Sequence, residues 1–425
     1  MKTVGWIGLG TMGEPMARQL LAKGFPLVVC NRTANKADKL LELGAKWADS
    51  PGETARAADV VFTMLSDDRV VREAYFGEKG IWSGVRQGMT VIDCSTVSPE
   101  LSRELYREAE ARGVRFLDAP VTGSRPAAES GTLLFMIGGD AETVEAHRDL
   151  FEAMGRKIVH MGPAGTGSQT KLAHNTMVGI HMSAFAEALS MALKAGIPPQ
   201  KFAEVVLNGA AASRQAELKA ERMIRGDYSV QFGLGLMLKD LRLASRMAEQ
   251  LGVRTPMLDL AREMFTSADE LGCSDLDLSA VFKCYESWNG VSLSSGESKP
   301  APRQEERRRY PRIPLNIPLK LSVYQWVQAG NLHGETIDGL LLDLSNAGMQ
   351  ISSDVKLEPD MFVVVHFPDG SSLPPLTARI IRAEPRENRF HYGCLLSGLP
   401  LHTQKQLETY IASQLDYADA AAEKN

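Results

Sequence analysis

Six residues near the N-terminus constrain this chain more than any other feature. Gly8-Leu9-Gly10-Thr11-Met12-Gly13 follows the strand-like stretch 4–7 and leads into a helical period at 16–23. After a strand, the first glycine of such a loop permits a tight turn. The second lets another group approach the backbone, and the third lets helix and strand pack closely. The helix N-terminus beyond offers unpaired N–H groups and the positive end of a dipole, which suit a pyrophosphate. The glycine spacing is weak evidence alone, and the strand–turn–helix context makes it specific for a dinucleotide. Gly8, Leu9, Gly10, Thr11, Met12 and Gly13 are therefore expected to line a cofactor site.

The alternation begun there continues. Strand-like stretches fall at 27–30, 60–64, 90–93, 115–118, 133–137 and 158–160, with helical periods such as 98–112 between most of them. This predicts a doubly wound, mostly parallel sheet. From 167 to about 289 the strand signal fades, and Gly/Pro breaks at 196–199, 226–227 and 252 separate helical periods. Residues 291–302, VSLSSGESKPAP, have a linker composition. Short strands are then expected at 317–323, 336–343, 347–352, 362–367, 376–382 and 390–396, closed by a helix at 403–415. The predicted architecture is a Rossmann-type α/β domain over 1–163 and an all-α domain over 164–290. A linker over 291–304 and a small antiparallel β-barrel over 305–415 complete it.

Length and composition agree with several domains, since 425 residues exceed one ordinary core. A net charge of -5 argues against binding a nucleic acid polymer. The five cysteines, Cys30, Cys94, Cys273, Cys284 and Cys394, are scattered and odd in number. They give neither metal-type pairing nor a complete disulfide framework, so no metal is expected and a reducing, cytoplasmic location is. The apolar stretch 177–195 contains His181, Glu187 and Lys194, and reads as a buried helix rather than a membrane span.

The end of the second strand bears on which dinucleotide binds. A carboxylate there would accept from a ribose 2′-OH, whereas this chain has Asn31-Arg32-Thr33. Arg32 can offer a charged, planar donor fork to a 2′-phosphate, and Asn31 and Thr33 can add hydrogen bonds, so NADP(H) is the expected cofactor. Further along, Lys171 and Asn175 lie four apart on one helix face, in the stretch that opens at Gly165. An ammonium placed beside a carbonyl can stabilise the alkoxide that hydride transfer creates, and can protonate it. By spacing alone such a pair is more often a solvated face.

Residues 2 to about 289 resemble the β-hydroxyacid dehydrogenase family, which includes 3-hydroxyisobutyrate dehydrogenases and glyoxylate/succinic semialdehyde reductases. Four motifs carry the resemblance in order: the glycine loop, Asp118-Ala119-Pro120-Val121-Thr122-Gly123, the stretch 167–175, and Lys239-Asp240-Leu241-Arg242-Leu243-Ala244. The resemblance implies Lys171 as general acid/base and Asn175 as a substrate-orienting residue. It implies that Thr122, Gly123 and Ser124 cradle a substrate carboxylate, and that Lys239 and Asp240 close the site. Ser95, Thr96, Met64 and Leu65 would lie along the nicotinamide and ribose. Thr122 stands where the family usually has Ser, and Ser124 where a second glycine is commoner, which narrows the loop's freedom. The expected activity is NADPH-dependent reduction of a small aldehyde or 2-oxo acid, or the reverse on a 3-hydroxy acid, in a homodimer or homotetramer.

Arg307-Arg308-Arg309-Tyr310-Pro311-Arg312 and Asp343-Leu344-Ser345-Asn346-Ala347-Gly348 fit RRxxxR followed by DxSxxG. This resembles a PilZ domain and implies binding of cyclic di-GMP through Arg307, Arg308, Arg312, Asp343, Ser345 and Gly348. Arginine can grip phosphate bidentately and can pair with the O6/N7 edge of guanine. The rival reading is a non-catalytic NADP(H)-sensing scaffold whose barrel is the output. Turnover of NADPH on a panel of small aldehydes separates the two.

Overall fold

The computed structural model describes residues 1–293 and, beyond them, 313–413 except 327–331, 346–347, 359–360, 369–370, 372, 387–388, 397–402 and 404. The chain divides into two compact units, Met1–Gly296 and Glu297–Asn425.

The first unit opens with the sheet. Its strands are β1 (Val4–Ile7), β2 (Leu27–Cys30), β3 (Lys46–Trp47), β4 (Val60–Thr63), β5 (Thr90–Asp93), β6 (Arg115–Asp118), β7 (Val121–Thr122), β8 (Leu133–Gly138) and β9 (Gly155–Gly162). The order is β3-β2-β1-β4-β5-β6-β8-β7, with β9 paired to β8. Strands β1 to β6 are parallel. The last part departs from that pattern, for β8 runs antiparallel to β6 and β7. The four residues of β1, β2, β4 and β5 are all buried, because helices cover both faces. The order reverses beside β1, which lies between β2 and β4, and a ligand crevice forms at the carboxyl ends of the strands at such a point.

The second half of this unit is helical, as expected. The 29-residue helix Thr166–Lys194 is its axis. Helices Pro199–Asn208, Arg214–Ile224, Leu234–Gln250, Pro256–Glu270 and Phe282–Asn289 pack against it. It is long and apolar enough to cross a bilayer. Its Leu172, Met182, Phe185, Ala186 and Leu189 nevertheless lie in the core of the helical bundle.

The second unit is a closed antiparallel barrel. Strands β10 (Ile313–Trp326), β11 (Leu332–Ser345), β12 (Gly348–Ser353), β13 (Phe362–His366), β14 (Leu376–Arg386) and β15 (Arg389–Leu396) close in the order β10-β11-β12-β15-β14-β13. Alternation fills its interior with Leu319, Leu321, Val323, Val363, Val365, Ala378 and Ile380. Residues 405–413 are helical, and Leu407 and Ile411, four apart, join that core.

Candidate active site

The glycine loop leaves β1 with each glycine in a different predicament. Gly8 has φ +99°, and a Cβ there would lie 2.3 Å from the Met64 carbonyl oxygen. A Cβ on Gly13 would lie 2.0 Å from the Gly8 carbonyl oxygen. A Cβ on Gly10 would meet nothing within 4 Å. The outer two are therefore needed for packing, while Gly10 borders open space where a pyrophosphate can approach the backbone. The helix Gly13–Ala22 has no side-chain N-cap; Glu14 N–H is taken by the Gly10 carbonyl at 3.2 Å and Pro15 has no N–H, so the groups facing a ligand are those of the loop up to Gly13.

A groove of about 670 Å³ runs from this loop past Asn31, Arg32, Thr33, Ala34 and Lys36 to Met64, Leu65 and Ser66. Arg32 is exposed and has no carboxylate partner among the described residues. Asn31 is more committed than expected. Its Oδ1 accepts from Leu9 N–H at 2.9 Å, and its Nδ2 donates to the Thr33 carbonyl at 2.9 Å, tying two loops together. Ser95 is likewise a tie. It is buried, accepts from Leu65 N–H at 2.9 Å and donates its own N–H to Asp93 Oδ1 at 3.1 Å. The groove suits an extended dinucleotide: the glycine loop for a pyrophosphate, Arg32 and Lys36 at one end, and Met64 and Leu65 at the other.

Met64, Leu65 and Ser66 also line a second, smaller cleft with Met12, Thr96, the loop Thr122-Gly123-Ser124, Lys171, His174, Asn175, Lys239 and Asp240. Two expected groups thus meet across the junction of sheet and bundle. The cleft measures about 120 Å³, a little under the ~150 Å³ cavity that accommodates benzene, and suits a small substrate. Gly123 has φ +133°, and Ser124, at φ +57°, is the one non-glycine residue with positive φ among those described. A serine in that region carries backbone strain that a glycine would avoid.

Lys171 lies on the second turn of the long helix and is 8% exposed. No carboxylate among the described residues lies within ion-pair distance of it. Burial pushes its ammonium down to about 8, with Asp240 pulling upward and Lys239 adding to the fall. The neighbouring groups form a continuous polar chain. Lys239 Nζ donates to the Thr96 carbonyl at 2.5 Å and lies 3.0 Å from Asp240 Oδ1. Asp240 Oδ2 accepts from Asn175 Nδ2 at 2.6 Å. Asn175 Oδ1 faces His174 Nδ1 at 3.0 Å, and His174 Nε2 faces Thr122 Oγ1 at 3.2 Å.

This chain has a direction. The Asp240 carboxylate can only accept, so it fixes which end of the Asn175 amide points toward it. The amide oxygen then faces His174 Nδ1, which must carry the proton. Burial and Lys171 hold the imidazole neutral, leaving Nε2 as acceptor for the Thr122 hydroxyl. Thr122 therefore spends its proton on His174. The Gly123–Ser124 turn and the Ser124 side chain line the cleft beside it.

The sequence points to Asn175 and Asp240 but not to His174, although His174 lies inside the same motif. Its role depends on Thr122, 52 positions away. Gln215, Gln231 and Phe232 also line the cleft, and no sequence signal marked them. In the barrel, Ser345 is buried and donates to the Gly348 carbonyl at 3.0 Å. A Cβ on Gly348 would lie 2.5 Å from the Cys394 carbonyl oxygen on β15, so Gly348 lets β12 pack closely there. Asp343 is half-buried on β11. Arg307, Arg308 and Arg312 lie outside the described residues.

Fold and site together define a nicotinamide nucleotide-dependent oxidoreductase of two adjoining domains, followed by a separate barrel. Residues 3–162 match the NAD binding domain of 6-phosphogluconate dehydrogenase. Residues 165–285 match the NAD-binding domain of NADP-dependent 3-hydroxyisobutyrate dehydrogenase, and residues 306–413 match the PilZ domain. The chain belongs to the β-hydroxyacid dehydrogenase family, with a PilZ domain at its C-terminal side, and is an oxidoreductase acting on CH–OH groups. It is 36% identical over 297 residues to the NAD-dependent L-serine dehydrogenase of Pseudomonas aeruginosa, covering 68% of this chain and 100% of that one. It is 36% identical over 281 residues to the chloroplastic glyoxylate/succinic semialdehyde reductase 2 of Arabidopsis thaliana, covering 66% and 78%. The crystal structure of 3-hydroxyisobutyrate dehydrogenase from Salmonella typhimurium aligns with a TM-score of 0.63 and 30% identity, covering 66% of this chain and 99% of that one.

Proposed function

We propose that this protein reduces small aldehydes or 2-oxo acids of the glyoxylate or succinic semialdehyde kind with NADPH, and can oxidise 3-hydroxy acids in reverse. The observation that carries the reading is the buried Lys171, lowered to about 8, in a small cleft continuous with the dinucleotide groove. The reduced nicotinamide, when bound, supplies the hydride. The turn Gly123–Ser124 receives the substrate carboxylate and directs the carbonyl oxygen toward Lys171 Nζ. Lys171 stabilises the growing oxyanion and gives up its proton to it. Asn175 and Asp240 hold the polar frame in which this happens, and Lys239 closes the cleft over Thr96. Met12, Met64 and Leu65 keep the hydride path apolar and water-poor.

Arg32, exposed just past β2 with no ion-paired carboxylate among the described residues, supports NADP(H) over NAD(H). The five free, buried cysteines fit a reducing, cytoplasmic setting. Met177 and Met191, strongly exposed on the long helix, support a homodimer or homotetramer. The proposed division is 1–163, 164–290, a linker over 291–304, of which 294–304 lie outside the described residues, and 305–415, with cyclic di-GMP as the proposed ligand of the barrel. Replacing Lys171 with Ala is expected to lower kcat by about 100-fold or more while NADPH still binds. Near-normal kcat in Lys171→Ala refutes the assignment. Failure of the wild type to oxidise NADPH with any small aldehyde or 2-oxo acid would favour the scaffold reading.

A further inference from the structure

Lys219 and Asp277 form an ion pair at 2.8 Å with side chains 1% and 0% exposed. It lies in the helical bundle. A buried pair seldom repays its own desolvation, and a well-packed apolar pair in its place is often at least as stable. What Asp277 touches is therefore informative. Its Oδ2 accepts from Gln231 N–H at 3.0 Å and Phe232 N–H at 3.1 Å, and Lys219 Nζ donates to Gln231 Oε1 at 3.0 Å. Its Oδ1 accepts from the N–H and hydroxyl of Ser279. Burial works against the charge on Asp277, yet Lys219 and these donors hold its carboxyl below the usual range. Leu278 N–H bonds back to the Phe232 carbonyl at 2.9 Å, so the segment is gripped from both sides.

Gln231 and Phe232 both line the substrate cleft, and the Phe232 ring centroid lies 6.0 Å from Lys171 Nζ. That distance is the outer limit of cation–π attraction. The ring's main effect on the ammonium is thus to exclude water from it. The charged groups acting on Lys171 are Asp240 and Lys239 from the helix Leu234–Gln250, with neutral His174 on its own helix.

We propose that the buried Lys219–Asp277 pair is a positioning device for catalysis, clamping Gln231 and Phe232 so that the Phe232 ring covers Lys171 and walls the substrate cleft. The inference rests on Lys171 being the acid/base. When the clamp slackens, water reaches Lys171 and the proton-donor group titrates at higher pH, while the substrate loses a wall.

The test uses full-length enzyme and reads the pH dependence of kcat/KM for carbonyl reduction, with KM for substrate and for NADPH measured separately. Lys219→Met and Phe232→Ala are each expected to move the alkaline limb upward by about one pH unit. Both should raise substrate KM by about fivefold or more, with the NADPH KM nearly unchanged, because the nucleotide groove is untouched. Phe232→Tyr, which keeps a ring, should keep the wild-type limb. A Phe232→Ala enzyme with an unmoved limb and unchanged substrate KM overturns the proposal. So does a folded Lys219→Met enzyme that loses melting temperature alone, for the pair is then merely structural. Should Lys219→Met fail to fold, Asp277→Asn, which keeps an oxygen to accept from the loop, is read in the same way. Failure of the underlying assignment looks different: Lys171→Ala would then retain its activity and its alkaline limb.

Discussion

The proposed function rests most of its chemistry on two side chains, and each makes a measurable claim. Lys171 is lowered to about 8 chiefly by burial. Reduction needs its protonated form, so kcat/KM for reduction should be level at low pH and fall as pH rises through about 8. Oxidation needs the neutral amine, so its kcat/KM should rise through the same value. Steady-state profiles in both directions check this, and a reduction limb lying above pH 10 would mean that Lys171 is not desolvated in the working enzyme. Arg32 is the other. Among the described residues no carboxylate lies within ion-pair distance of its guanidinium, so a 2′-phosphate can take that place. Charge-assisted hydrogen bonds contribute about 1.5–3 kcal/mol, so Arg32→Ala should lower kcat/KM with NADPH by about tenfold or more. The value with NADH should scarcely move. A wild type that uses both cofactors equally well would remove Arg32 from the specificity argument.

The helix Thr166–Lys194 shows how much could be read in advance and where reading stopped. The spacing of Lys171 and Asn175 placed both on one face, and both are buried on the cleft side. The Gly/Pro breaks at 196–199, 226–227 and 252 fall at helix boundaries, whereas the divisions between Asn208 and Arg214 and between Glu270 and Phe282 were not legible. The two-residue strands β3 and β7 were not legible either, because two residues hold no period. The start of the long helix was legible only as a motif. Gly165 enters at φ +90°, and Asp118 from the end of β6 then accepts from Gly165 N–H and Ser168 N–H, both at 2.8 Å. A carboxylate 47 positions upstream thus caps the helix that carries Lys171, and no local pattern reports such a partner. Likewise His174 and Phe232 take their roles from Thr122 and Asp277, which are remote in sequence. Asp118→Asn would turn an amide NH₂ toward one of two N–H donors. The loss of that bond in a buried site costs about 1–3 kcal/mol. The expected result is a melting temperature lower by about 2–10 °C, with kcat reduced as Lys171 shifts against Thr122. Unchanged melting and kcat would show that the helix start holds without its remote cap.

The two units have separate cores. Residues between 4 and 293 form three apolar clusters, and residues between 315 and 411 form a fourth that takes nothing from the first unit. Separate cores predict separate unfolding, so calorimetry should resolve two transitions. Each transition then becomes an assay for its own ligand. A ligand that binds the folded state at 100 times its Kd stabilises that unit by about 2.7 kcal/mol. For a unit of about 100 residues this is a rise on the order of 10 °C. Cyclic di-GMP should raise the barrel transition by roughly this amount, and NADPH should raise the other. Arg308→Ala and Arg312→Ala should abolish the first shift and leave the second, since the proposed phosphate and guanine contacts belong to those guanidiniums. No shift of either transition at micromolar cyclic di-GMP would remove the proposed ligand. Regulation is a further claim with its own signature. If the messenger changes turnover by altering substrate or cofactor affinity, linkage requires NADPH and substrate to change affinity for the messenger by the same factor. Titrations of cyclic di-GMP with and without NADPH and a substrate acid measure that factor directly. We expect them to differ, together with a change in KM at saturating messenger. Equal titrations with unchanged kinetics would mean that the barrel addresses the enzyme to a place rather than setting its rate.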